Sequence, residues 1–580
     1  MRRSAAACQI TAAVIALTLA AAPATAWGHA ALESESPSAS AVARHAPRVV
    51  SLTFSEAVEP RFAVISVTDA KGRQLARGAP RRSSTDRQTI ERVVDRLRSG
   101  WYLVYWRVIS ADGHPVRGAF TFAVGPGPGT PVAFTAPSLR ETAATPGLLL
   151  ARWAVFLSVM AAIGLFVFRS VIARPIGASP AGTALRRVTI AACISVAVAL
   201  VAVPVYAIVT TARFTTLSPL DVKELLPLVR VSSFGRAISD LELLVALFAV
   251  AAGVALWLDR PERPQRSVVE LLALGSALAC ASAELLIFGL AGHPAQTSPR
   301  ALALGVDWAH LAAGSLWLGG LAGLLVLWAS AGAGGRAAAL AAVVPRFSRV
   351  ALGSVLALVA TGAVAAITHL PTLAALWETG YGRSILVKLG LLAAALVLGA
   401  VNLLVTTPRL TAAGLRGDDA FGGPAAALLR RTVTGEITLV ASTVFAAGVL
   451  TSLPPPAAAL SKAGDAVARV GPGPVSRSVV QHDTRVVVTL TPNRAVWPTT
   501  LGVALTRRGV PVAGASVIAR FDMLDMDMGQ RAYVLKERTP GTYQRSAVAL
   551  LMVGTWGVTF EVTPKAGRPF SFLVVDKANG

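Results

Sequence analysis

Hydrophobic and polar residues alternate along this chain in two rhythms that change abruptly from one stretch to the next. From His29 to Val124, runs such as VVSLTFSEAV, FAVISVTDA and WYLVYWRVIS put apolar side chains at every second position. That is the period of a strand with one buried face. Tyr102, Val104, Trp106 and Val108 are expected to share such a face. A Gly/Pro-rich stretch, Gly125 to Pro131, ends the pattern. Eight continuous apolar spans then follow, near Leu148–Phe168, Thr189–Thr210, Leu241–Leu258, Val268–Ala291, Gly305–Trp328, Val350–Thr368, Ile385–Val405 and Thr432–Leu450. Each approaches the roughly 20 residues that a bilayer crossing needs, the third being the shortest. After Pro454–Pro456 the two-residue alternation returns, from about Arg477 to Asp576. The pattern predicts a multi-domain membrane protein. An N-terminal all-β module over 29–125 is joined by a linker (126–146) to an eight-helix transmembrane bundle over 147–454. A second linker (455–476) leads to a C-terminal all-β sandwich over 477–580.

Residues 1–28 read as a secretory signal, with Arg2 and Arg3 ahead of an apolar run and small residues before the cut. Cleavage after Ala26 or after Gly28 both fit, and only the second makes His29 the new N-terminus. The net charge of +23 does not gather into one basic segment, so nucleic acid is not an expected partner. Its distribution instead orients the bundle. Loops after the first, third, fifth and seventh spans hold fourteen basic side chains, from Arg169 to Arg431, against six, from Arg213 to Arg383, in the alternate loops. The basic loops belong on the cytoplasmic side, which leaves both β-modules outside the cytoplasmic membrane. The three cysteines lie in the leader or in apolar spans, so no disulfide staples either outer module.

The candidate chemistry starts with SADGHPVRG, Ser110 to Gly118. Asp112 and His114 are two apart, and on extended backbone their side chains share a face about 7 Å apart. If His29 is the N-terminus, its amine and ring nitrogen chelate, and with His114 and Asp112 they form a nitrogen-rich set suited to Cu(II). A polar turn at Asp112–Gly113 is the alternative. The segment carrying HAALESESPSAS, APRVVSLTFSEAVEP and GWYLVYWRVISADGHPVRGAFTFAV resembles the CopC family of exported copper-binding proteins. The resemblance implies a Greek-key β-barrel and a Cu(II) site at His29, Asp112 and His114.

In the membrane domain, His293, His310 and His369 fall near the outer ends of spans, where they are candidates for a membrane copper path. For His310 and His369 ligand and structural readings weigh equally, while Asp307 and Glu284 add oxygen ligands or proton carriers. Gly314, Gly319, Gly320 and Gly323 offer small surfaces for helix packing. GHPA at Gly292, DWAHLAAGSLWLGGL, ETGYGRSILVKLGLL, Asn402 and RRTVTGEITLVAS with Glu436 resemble the CopD family of copper-resistance membrane proteins. That resemblance implies copper uptake together with a CopC-type partner, here in the same chain. No phosphate-binding loop and no Cys-Pro-Cys indicates an ATP-driven pump.

FDMLDMDMGQ clusters Met523, Met526 and Met528, soft sulfurs that suit Cu(I), although core packing is the favoured reading. With GTYQRSAVALLMVGTWGVTFEV the segment looks like the YtkA-like domains. No nucleophile, base and orienter come together, so no enzyme is expected. The expected function is capture of Cu(II) outside and copper import, with the copper ion and the lipid bilayer as partners. A copper chaperone or oxidase assembly factor is a further expected partner. The competing readings are a haem-binding membrane oxidoreductase using the same histidines and a copper donor for oxidase assembly without transport.

Overall fold

The computed structural model describes residues 30, 32–39, 41–109, 115–126, 146–178, 182–215, 217–229, 233–263, 265–292, 294, 297, 299–332, 335–416, 419–453, 458–481, 483–495, 497–525, 530–551 and 553–579. The N-terminal strands are β1 (Leu32–Ser36), β2 (Val42–Ala43), β3 (Val49–Phe54), β4 (Val64–Asp69), β5 (Ala76–Arg82), β6 (Thr89–Val94), β7 (Gly100–Ile109) and β8 (Pro115–Val124). They form two four-stranded sheets, β1-β3-β6-β5 and β2-β8-β7-β4, and the chain crosses between them after β1, β2, β3, β4 and β6. The expected face of β7 is the buried one. Val104, Trp106 and Val108 are fully enclosed, and Phe54 meets Trp106 edge-on at 5.3 Å.

Among the described residues, eight helices are long and apolar enough to cross a membrane: α1 (Pro146–Ile172), α2 (Thr183–Arg213), α3 (Phe234–Leu258), α4 (Val268–Leu290), α5 (Arg300–Ser330), α6 (Arg336–His369), α7 (Gly380–Ala413) and α8 (Gly422–Leu450). The chain is a multi-pass membrane protein. Most helices run past the apolar spans because helical hydrogen bonding continues through polar ends that sequence hydropathy discards. The third helix, Phe234–Leu258, starts seven residues before the apolar span and is not short.

Glycines set the closest approach. A Cβ at Gly164 of α1 would lie 1.9 Å from the Ser315 carbonyl oxygen, and one at Gly319 would lie 2.3 Å from Gly164 Cα. The α1 and α5 backbones therefore touch, as small residues permit in lipid. Gly320 and Gly323 receive the rings of Phe347 and Phe168. At the Arg-rich end, Asp259 is almost wholly buried and accepts from Arg169 at 2.9 Å and from Arg174 at 2.8 Å. At the other end Arg152 of α1 reaches the Tyr206 hydroxyl at 3.0 Å and Ser452 Oγ at 2.7 Å.

The C-terminal strands are β9 (Ala468–Val470), β10 (Val475–Gln481), β11 (Thr484–Thr491), β12 (Thr499–Arg507), β13 (Val510–Pro511), β14 (Ser516–Met523), β15 (Gln530–Thr539), β16 (Thr542–Ala547), β17 (Gly554–Thr563) and β18 (Phe570–Ala578). They make one continuous sheet, β10-β11-β12-β16-β15-β14-β17-β18-β9, with β13 on β12. The expected sandwich is thus nearly a barrel, because β15 pairs with β14 on one side and β16 on the other and bends the sheet round its own core.

Candidate functional site

The residues of the Cu(II) set, His29, Asp112 and His114, lie outside the described residues, as do His293, Met526 and Met528. What is described is the frame on either side. The turn Pro60–Phe62 lies against α2, and Phe62 and Ile109 belong to one apolar cluster with Val155 and Val159 of α1 and Tyr206 of α2. Ile109, the last residue before segment 110–114, is therefore seated on the bundle. The two β-domains also meet each other. Arg531 of β15 grips Glu35 of β1 through both guanidinium nitrogens, at 2.9 and 3.1 Å, and Ala119 of β8 packs with Ala495.

Inside the bundle the structure gathers polar residues at two levels. The first is in the half nearer the β-domains. His310 Nδ1 lies 2.9 Å from Thr361 Oγ1, and Thr361 donates to the Ala357 carbonyl at 2.6 Å. A hydroxyl has one proton, so Thr361 accepts from Nδ1–H and leaves the Nε2 lone pair of His310 to accept a hydrogen bond. That lone pair faces Lys388 Nζ at 3.3 Å. His369 is held alike: Nδ1 donates to the Ala365 carbonyl, a pure acceptor, at 2.8 Å, and Nε2 faces Thr297 Oγ1 at 3.2 Å. An imidazole whose second nitrogen is pinned to an acceptor is oriented as metal-binding histidines are.

Asp307, one turn before His310, acts electrostatically with Lys388. Glu284 of α4 is 1% exposed, and its Oε1 has no hydrogen-bond partner among the described residues. Among the described residues no three His, Cys, Asp or Glu side chains gather closely enough to hold a metal ion. The arrangement suits brief handling of an ion by one or two nitrogens rather than a closed cage.

The second level is in the Arg-rich half. A turn of π-helix, Asn402–Thr406, interrupts α7 and turns Asn402 toward α8. There Asn402 donates to Glu436 Oε1 and accepts from Thr432 Oγ1 at 2.5 Å. Glu436 is 2% exposed and lines a cavity of about 200 Å³ together with Trp317 and Ser348. Glu436 and Asn402 carry the CopD resemblance. Thr432 and Trp317 fall within stretches that carry the same resemblance, whereas Thr361 left no sequence signal beyond a polar residue in an apolar run.

Met523 ends β14, is 1% exposed, and packs in the β-domain core, where a Cβ on Gly554 would lie 2.6 Å from its Cε. Its thioether is used for packing.

The CopC domain model matches residues 32–125, and the model of Copper resistance protein D matches residues 341–450. The Copper transport protein CutJ of Bacillus subtilis (strain 168) is 23% identical over 571 residues, covering 92% of this chain and 93% of that protein. Protein YobA of Escherichia coli (strain K12) is 37% identical over 99 residues, which are 17% of this chain and 80% of that protein. Copper resistance protein C of Xanthomonas campestris pv. juglandis is 32% identical over 120 residues, covering 19% of this chain and 91% of that protein. The crystal structure of CopC from Methylosinus trichosporium OB3b is 33% identical, covers 17% of this chain and 95% of that one, and has a TM-score of 0.16. With a CopC domain ahead of eight membrane helices that carry a CopD domain, the chain belongs to the CopC/CopD copper-resistance and copper-transport family.

Proposed function

We propose that the N-terminal domain captures Cu(II) outside the cytoplasmic membrane through His29, Asp112 and His114, and that the bundle then carries copper inward. In this reading both β-domains are extracytoplasmic, and His310 and His369, with His293, receive the ion on its way into the bundle. The observation that supports it most is the seating of Ile109 and Phe62 in the apolar cluster of α1 and α2. Copper held by segment 110–114 would then be released beside the membrane domain, with no free diffusion between the two. The Nε2 atoms of His310 and His369, once Lys388 and Thr297 give way, supply nitrogen donors in the half of the bundle nearer that release point.

The test uses the mature full-length protein, with its N-terminal residue sequenced. Cu(II) titration should show one tight site that the H29A/H114A double variant loses. Copper uptake into liposomes should fall with it at low copper. Undiminished Cu(II) affinity in the double variant would overturn the capture site.

A further inference from the structure

The Glu436 cavity plays no part in the capture and entry of copper described so far. It sits between α5, α6, α7 and α8, and Glu436 is the ionisable side chain lining it. The nearest ionisable residues along the packed helices are Arg346 and Arg349, flanking lining residues Phe347 and Ser348, Arg430 and Arg431 on α8, Arg409 on α7, and Lys388 about three turns before Gly399. None of these lines the cavity. No described side chain forms an ion pair with Glu436.

A carboxylate held out of water with no counter-charge is too costly to persist, so a cation must accompany it. The donors present decide which one. Glu436 Oε1 is taken by the Asn402 amide, and Asn402 is fixed in turn by Thr432. Oε2 lies toward Gly399, where an added Cβ would sit 3.7 Å away. The Trp317 side chain also hydrogen-bonds the carboxylate, so what remains is a poor shell for a metal ion and enough for a proton. Two further observations point to water. The cavity, at about 200 Å³, is roomy enough for several molecules. Ser348 and Asn402, which line it with Glu436, add polar groups that a water molecule can meet. Trp317 lines this cavity and lies seven residues from His310 on the same face of α5, about 10 Å along the helix. The two polar levels are thus neighbours.

We propose that Glu436 is a proton-exchange site that couples copper passage to the proton gradient. This rests on the transport reading above. While no copper ion stands at the His310 level, the carboxyl keeps its proton. As a copper ion moves on from the His310 level, its charge favours breaking the O–H bond, and the proton leaves through cavity water toward the Arg-rich end while the ion passes without binding the carboxylate. A proton from the side of the β-domains then reprotonates the carboxylate, so that one proton crosses in the same direction as each copper ion.

The experiment uses the full-length protein in liposomes and has two arms. Without copper, infrared difference spectra across a pH titration should show the C=O band of a protonated carboxylic acid, absent in Glu436→Gln and shifted in Glu436→Asp. With copper outside, the wild-type accumulation ratio should change about tenfold per unit of imposed pH gradient for one coupled proton. E436Q should take up copper without that dependence, and E436D should regain it. An unchanged carboxyl band in E436Q overturns the proposal, as does a wild-type gradient response in E436Q or no gradient response in the wild type. If copper enters no liposome at any pH, the transport reading fails, and the infrared arm still decides whether Glu436 binds the proton.

Discussion

At the scale of single residues, burial decides what a polar side chain does. Asp576 of β18 is fully enclosed and accepts from Asn493 Nδ2 at 2.8 Å, while Asn493 is also tied to the Gly473 carbonyl. Burial pushes the Asp576 carboxyl up to about 6, and the Asn493 bond opposes this only in part. An acid that binds its proton more tightly folded than unfolded costs stability as pH rises from its ordinary value to its folded one. The loss is complete above about pH 6. The whole effect is on the order of 2–3 kcal/mol. Hydrogen exchange of β17 and β18 in the full chain should therefore show wild-type protection falling relative to Asp576→Asn between about pH 4 and pH 7. A ratio that stays flat would remove Asp576 from the balance. Nothing in the sequence marks Asp576, because an Asp near the end of an alternating run reads as solvent-facing until the sheet curls over it.

At the scale of elements, periodicity was readable and partnership was not. The β7 face of Tyr102, Val104, Trp106 and Val108 could be anticipated because a strand has only two faces and one must be buried. The eight spans were equally plain, since lipid allows no other use for such apolar runs. Helix rotation has no such binary code. That His310 would find Thr361 and Lys388, or that Asn402 would join Thr432 to Glu436, depends on how α5 to α8 turn toward one another. The glycines of α5 were legible as small surfaces, but their depth of contact was not. Gly319→Val should push α1 from α5, since even a Cβ there lies 2.3 Å from Gly164 Cα. The expected outcome is a loss of roughly 2 kcal/mol or more, read as a lower melting temperature in detergent, with Gly305→Val, which faces open space, nearly neutral.

At the scale of the whole molecule, the two β-domains and the bundle hold one another at few points. Glu35 and Arg531 form a largely buried, two-pronged pair that joins the first strand of the chain to β15. Breaking one partner leaves the other charge stranded, a cost on the order of 3–5 kcal/mol for a fully buried pair and less here because Arg531 is partly solvated. Glu35→Ala should expose the junction to protease while each domain stays folded, and the swap of Glu35→Arg with Arg531→Glu should restore part of the protection. Equal cleavage in all three proteins would mean that the pair does not fasten the domains. The wedge of Phe62 and Ile109 into the helices has a further result for kinetics. A module clamped by its own exit cannot serve as a roaming courier, so under the proposed reading throughput is governed by how fast dilute metal strikes a stationary receptor. Expressing that receptor as a detached soluble fragment would not rescue a chain that lacks it.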